Sequence, residues 1–294
     1  MRRSIGPGVL TRALGPWCVV GVLIGHAVVA VRAVEAQATR RVQTEPASPR
    51  PGTVFRVRVA GESRAVSGRV AGEPLHFVRD SVGWSAWAAA PVDSSGRLAA
   101  LVVIDGDTAR LSVALSAGAY RVDRLRVAPQ FGRDPDSATA ARIAREFAAA
   151  KAVSRGAHET PALFAGAFVR PRASRVTSGF GTAREFNGAI TSRHTGVDFA
   201  GAIGAPVRAA QRGVVRLVGD FYYAGRVVYV DHGAGFVTAY FHLSRVRVVE
   251  GDTVVAGSVL GEVGATGRVT GPHLHFVARY GEISVDGRTL PGWR

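Results

Sequence analysis

The chain has 294 residues, 47% hydrophobic and 20% charged, which excludes both a disordered chain and a polytopic membrane protein. Its net charge of +15 is spread evenly: residues 1–38 carry +4 and −1, residues 39–165 carry +18 and −12, and residues 166–294 carry +15 and −9. With no basic tail or stripe, no nucleic-acid partner is expected, whereas an even positive field suits an anionic polymer or envelope. Cys18 is the only cysteine, which excludes a disulfide scaffold and a structural Cys-zinc site.

Arg2, Arg3 and Arg12 precede an uncharged run from Ala13 to Val31, and Ala36-Gln37-Ala38 offers small residues for cleavage. Residues 1–38 therefore read as a secretory signal peptide, placing the mature chain in the periplasm or cell envelope. The alternative is an uncleaved anchor at the inner membrane, since the uncharged run is long enough to span a bilayer. Cleavage would remove Cys18 and with it any cysteine nucleophile.

Residues 39–52, with Pro46, Pro49 and Pro51, are expected to be a linker. Period-two alternation then begins, with Val54, Arg56 and Arg58 interleaved with Phe55, Val57 and Val59. Further runs at Ser67–Ala71, Leu75–Arg79, Leu98–Ile104, Ala109–Leu115 and Arg121–Val127 predict a small Ig-like β-sandwich over residues 53–130. Trp84 and Trp87 are expected to pack in or beside it. Residues 131–165 form a helical linker, begun by Asp134-Pro135-Asp136-Ser137, with Ile143 and Phe147 on one face and Gly156 and Pro161 at its end. Residues 166–294 are Gly-rich and Val-rich, with strand runs at Gly213–Val218, Arg226–Val230, Phe236–Tyr240 and Arg245–Val249, and predict an antiparallel β domain. The fold class is mainly β.

Chemistry concentrates in the histidines of that last region. In His194-Thr195-Gly196-Val197-Asp198, residues four apart along a strand share a side, so imidazole and carboxylate can converge. In Gly271-Pro272-His273-Leu274-His275-Phe276 two imidazoles share one strand face, and His242 ends the run Tyr240-Phe241-His242. Two neutral imidazoles and one carboxylate make a three-ligand zinc site with the fourth position left to water. His194, Asp198 and one of His273 or His275 fill that set, and the remaining histidines suit proton transfer and oxyanion stabilisation. His232 is expected in a turn, and His76 and His158 are expected to stand alone.

From Thr177 to Asp286 the chain resembles the LytM/lysostaphin-type zinc metallopeptidases. The likeness runs through Ser178-Gly179-Phe180-Gly181, His194-Thr195-Gly196-Val197-Asp198, Gly204-Ala205-Pro206-Val207, Val230-Asp231-His232-Gly233, Tyr240-Phe241-His242-Leu243 and Thr270-Gly271-Pro272-His273-Leu274-His275-Phe276. The resemblance implies one zinc on His194, Asp198 and His275, with His242 and His273 as catalytic groups beside it. It also implies a groove above the metal and peptidoglycan as substrate, in the exported Gram-negative branch a D-alanyl–diaminopimelate crosslink. Envelope regulatory proteins are possible partners of such an enzyme. The other reading is a catalytically silent wall-binding regulator or amidase activator. Val277 stands where many members carry an acidic residue, and Asp286-Gly287 replaces the usual Asp-Pro.

Overall fold

The computed structural model describes residues 39, 41–118, 120–125, 135–186 and 189–294. The expected signal peptide or anchor over 1–38, and Asp134 of the helix-start signal, lie outside the described residues. No described helix is long and apolar enough to cross a membrane.

The chain is mainly β. Two four-stranded antiparallel sheets come first. One is ordered β1 (Val42–Glu45), β2 (Val54–Ala60), β6 (Gly83–Ala89), β5 (Val78–Asp80); the other β4 (Glu73–Pro74), β3 (Val66–Val70), β7 (Arg97–Ile104), β8 (Asp107–Ala114). The alternation seen in sequence sorts side chains as expected: Phe55, Val57 and Val59 of β2 join Val102 and Ile104 of β7 in one buried cluster, while Arg56 and Arg58 face outward. Trp84 packs against this cluster.

Three boundaries differ from the sequence reading. The stretch 39–52 is not a free linker, because β1 pairs with β2 from Val42↔Val59 to Glu45↔Arg56. Leu75–Arg79 is not one strand: β4 and β5 belong to opposite sheets, and the residues between them cross over. The strand expected from Arg121 leaves the sandwich, since β9 (Val122–Leu125) pairs in parallel with β11 (Ala183–Phe186), which in turn pairs with β12 (Ala189–Arg193).

Helix α1 (Ser137–Gly156) is capped by Asp136, whose carboxylate accepts the Thr139 N–H at 2.8 Å. Its buried side is formed by Ala150 and Ser154, while Phe147 is 63% exposed, so the expected Ile143/Phe147 contact face is rotated. Small side chains let the helix approach Tyr229, Val237, Ala239 and Val277 closely, a packing that an inward Phe would prevent.

The remaining chain builds a ten-stranded sheet whose main path is β10 (Val176–Ser178), β13 (Val197–Ala200), β20 (His273–Tyr280), β17 (Phe236–Val246), β16 (Gly225–Gly233), β15 (Gly213–Phe221) and β18 (Thr253–Val254). Beside it, β14 (Pro206–Arg208) pairs with β19 (Val259–Val263), and β21 (Ile283–Val285) pairs with β20. The expected run Arg245–Val249 is no separate strand; Arg245 and Val246 finish β17. One face carries the core, with Phe168, Phe199, Tyr240, Leu274 and Phe276 almost fully buried. The opposite face carries α1 and, beyond it, the candidate site.

The sandwich docks on this sheet rather than hanging free. Val54, Ala89 and Trp87 join the sheet's core, and Asp286 N–H donates to Gly52 O at 2.7 Å. His76 and His158 do not stand alone: His76 Nε2 lies 2.8 Å from His158 Nδ1, and His158 Nε2 lies 2.9 Å from Glu73. Glu73 also accepts the Glu282 N–H at 2.9 Å, and Tyr280 donates its hydroxyl to Pro74 O at 2.6 Å. These bonds, with the Arg193–Asp93 ion pair, hold the sandwich at the side of the sheet domain. His232 is not a turn residue either. It is fully buried in β16, donating to Arg212 O at 2.7 Å and accepting from the Thr238 hydroxyl at 2.8 Å.

Candidate metal centre

Asp198 is the second residue of β13 and is paired directly with His275 of β20. His194 precedes the strand, so the expected same-strand geometry does not apply; the turn through Thr195 and Gly196 brings its ring back to Asp198. Gly196 is required there by close approach, because a Cβ would stand 2.7 Å from the His275 ring. Alternation along β20 buries Leu274 and Phe276 and leaves His273 and His275 on the opposite face, as the sequence pattern requires.

Three ligating atoms converge. His194 Nε2 lies 3.0 Å from Asp198 Oδ1 and 3.0 Å from His275 Nδ1, and His275 Nδ1 lies 2.7 Å from Asp198 Oδ1. Among the described residues this is the one group of three or more His, Cys, Asp or Glu with ligand atoms within 4.8 Å of one another. Of His273 and His275, the geometry therefore puts His275 in the cluster and His273 beside it, with Nε2 3.7 Å from Asp198.

The donor set fits a cation. With Nδ1–H of His194 given to Gly179 O at 2.8 Å, Nε2 turns a lone pair toward a carboxylate oxygen. Such a contact needs a positive centre between the atoms, a proton in the metal-free site or a metal cation in the loaded one. Two imidazoles and one carboxylate, with an open side, match the donor types and count of a catalytic zinc site. Burial opposes the charge on Asp198, but hydrogen bonds from His194 and His275 outweigh it and hold its pKa well below the usual carboxylate range. Burial lowers the pKa of His275.

His242 stands across the open side, its ring centroid 4.9 Å from that of His273 and 5.9 Å from that of His275. It sits at a bulge where the β16–β17 register shifts, with φ of 63°. A non-glycine residue in this left-handed region is held against its preference, a frequent device at functional sites. Thr266 O accepts from His242 Nδ1 at 2.9 Å, and Gly271 O from His273 Nδ1 at 2.9 Å, so in both rings Nδ1 is engaged and Nε2 is left for other contacts. Burial pushes the His242 pKa down to about 4, which keeps the ring neutral at pH 7. These orienting carbonyls of Gly179, Thr266 and Gly271 were not legible as such in sequence. Backbone acceptors carry no residue-type signal, although all three lie in stretches flanking the histidines.

A β-sheet face bearing a His-Asp-His cluster with two further imidazoles beside it defines a metallohydrolase-type site. Residues 192–287 match the model of peptidase family M23, and 30% identity to a Pseudomonas aeruginosa crystal structure assigned to the same family extends over 82% of this chain and 94% of that one, with a TM-score of 0.65. The chain belongs to peptidase family M23. Over 97 residues it is 44% identical to the peptidoglycan DD-endopeptidase ShyA of Vibrio cholerae, covering 33% of this chain and 21% of the relative. Over 86 residues it is 48% identical to the DD-carboxypeptidase/endopeptidase Mpg of Neisseria meningitidis, covering 29% and 20%. The matched region thus spans about a fifth of these curated relatives.

Proposed function

We propose that the chain is an exported zinc metalloendopeptidase that hydrolyses peptide bonds of peptidoglycan, specifically D-alanyl–diaminopimelate crosslinks in the periplasm. The observation that carries this reading is the convergence of His194, Asp198 and His275 beside the imidazoles of His242 and His273, whose ring centroids lie 4.9 Å apart. ShyA and Mpg, named for DD-endopeptidase activity, support the substrate class, and the leader-like residues 1–38 support export.

His194, Asp198 and His275 would hold the zinc. When bound, it supplies Lewis-acid polarisation of the scissile carbonyl and a water acidified toward neutral pH. His242 and His273 act as bases through Nε2: either takes the water's proton, and the imidazolium so formed donates to the tetrahedral oxyanion and then to the leaving amine. The hydrogen bonds to Thr266 O and Gly271 O fix which nitrogen does this work.

The test is digestion of purified sacculi by the mature chain, with products read by mass spectrometry. Loss of crosslinked dimers that is stopped by chelator and absent in His242→Ala is the expected result. Intact crosslinks despite stoichiometric zinc would favour the silent regulator instead.

A further inference from the structure

A small cleft of about 140 Å³, room for one side chain, adjoins the His194–Asp198–His275 cluster. It meets the cluster at Thr195, which follows His194, and at Phe241, whose ring stacks on His275 at 5.3 Å. One wall belongs to the linker helix, through Ile143, Phe147 and Ala150 of α1. The floor belongs to β20, where alternation puts Val277 and Arg279 on the face of His273 and His275. Arg279 therefore lies roughly 13 Å along the strand from His275.

Among the described residues no carboxylate pairs with Arg279. Its Nε is buried and has no hydrogen-bond partner, and Nη1 makes only a 3.3 Å contact to Ser154 Oγ. Among the described residues Glu146 is the only carboxylate lining the cavity, and it is committed to Arg142 at 2.7 Å and to the Tyr222 N–H at 2.9 Å. A buried Nε–H left unpaired is costly unless an acceptor arrives with a ligand. Apolar walls that end on such a group select a carboxylate carried on an aliphatic stem.

We propose that the cavity binds the free side chain of the diamino-dicarboxylic acid that precedes the D-alanyl residue on the donor side of the crosslink. Its methylenes lie against Ile143, Phe147 and Val277, and its terminal carboxylate pairs with Arg279. The assignment rests on the crosslink-hydrolysis reading and makes the linker helix part of the substrate-binding wall. It also gives Val277 a use: an acidic residue there would place a negative charge on the floor where a carboxylate passes.

Lysine differs from diaminopimelate by lacking that terminal carboxylate, so crosslinked dimers carrying one or the other in the donor stem isolate the contact. The zinc-loaded full chain should cleave the diaminopimelate dimer with a kcat/KM about ten- to a hundredfold higher. Arg279→Gln should bring the ratio close to one with the lysine dimer cleaved as before, and Arg279→Lys should keep part of the preference. Equal loss on both dimers in Arg279→Gln, or no preference in the wild type, would overturn the proposal. Calorimetry with free stem tripeptides ending in diaminopimelate or lysine reads the same contact without turnover. If no dimer is cleaved, the endopeptidase reading fails, while tighter binding of the diaminopimelate tripeptide that is lost in Arg279→Gln still upholds the cavity assignment. Equal binding of the two tripeptides overturns it.

Discussion

Gly196→Ala is the smallest change that tests how the metal site is built. Gly196 lies in the turn between two cluster residues, and a Cβ there would meet His275 Cε1 and Nε2 at 2.7 Å and Phe276 O at 2.7 Å. Ordinary contact begins near 3.4 Å, so something must yield by about 0.7 Å. The Phe276 carbonyl belongs to the β13–β20 ladder, where Val197 pairs with Phe276, so the imidazole moves more readily than the backbone. Metal sites hold their distances to within roughly 0.2 Å, well under that displacement. The expected cost is about 1–3 kcal/mol in stability from overpacking. Zinc affinity should fall by about 10–100-fold, as when the groups orienting a ligand are disturbed. Competition of chelator-stripped protein with a chromogenic chelator measures the affinity, and circular dichroism confirms the fold. Zinc binding within twofold of wild type in a folded Gly196→Ala protein would refute the role given to His275.

Zinc bound to the native state alone should raise stability by about 4 kcal/mol at a thousandfold excess over its Kd, seen as a lower unfolding temperature after chelation; an unfolding temperature indifferent to chelator would contradict the site. His232 gives a pH dependence of known sign. Burial pushes its pKa down to about 4, below the ordinary value of 6.5, so the unfolded chain binds the proton first. Its share of stability is complete above about pH 6.5, declines as pH falls toward 4, and amounts to about 3 kcal/mol. Urea unfolding at pH 7 and pH 4.5 should show a smaller acid loss in His232→Gln than in wild type, and an equal loss would argue against the shift. Phe168 is fully buried and packs on Phe164, Phe236 and His232. Phe168→Ala should cost about 3–5 kcal/mol by chemical denaturation, and a loss under 1 kcal/mol would place Phe168 outside the core.

Local pattern carried much of this molecule. Alternation in β2 and β7 marked which side chains turn inward, and His273-Leu274-His275-Phe276 announced two imidazoles on one face of a strand whose other face is core. The convergence of His194 and Asp198 was legible in their spacing, yet its geometry depends on the Gly196 turn rather than on a shared strand. What stayed hidden were contacts between distant segments. Glu73, His76 and His158 meet only because the sandwich docks on the sheet, and β9 crosses the expected domain boundary to find β11. Hydrophobic pattern pointed Phe147 inward, whereas close helix–sheet approach selected Ala150 and Ser154. Arg279 carries no signal in sequence at all; only the fold shows that no described carboxylate pairs with it.

The central claim is that one zinc on His194, Asp198 and His275 is what lets this chain cut a peptide crosslink. Its most direct test is to strip the protein with chelator and add zinc back in steps. Bound metal and cleavage of a defined D-alanyl–diaminopimelate dimer are then measured on the same samples. Cleavage should rise linearly and stop at one zinc per chain, and Asp198→Asn should neither retain the metal nor cut. Full cleavage by the stripped protein, or a saturated site that leaves the dimer intact, would contradict the account.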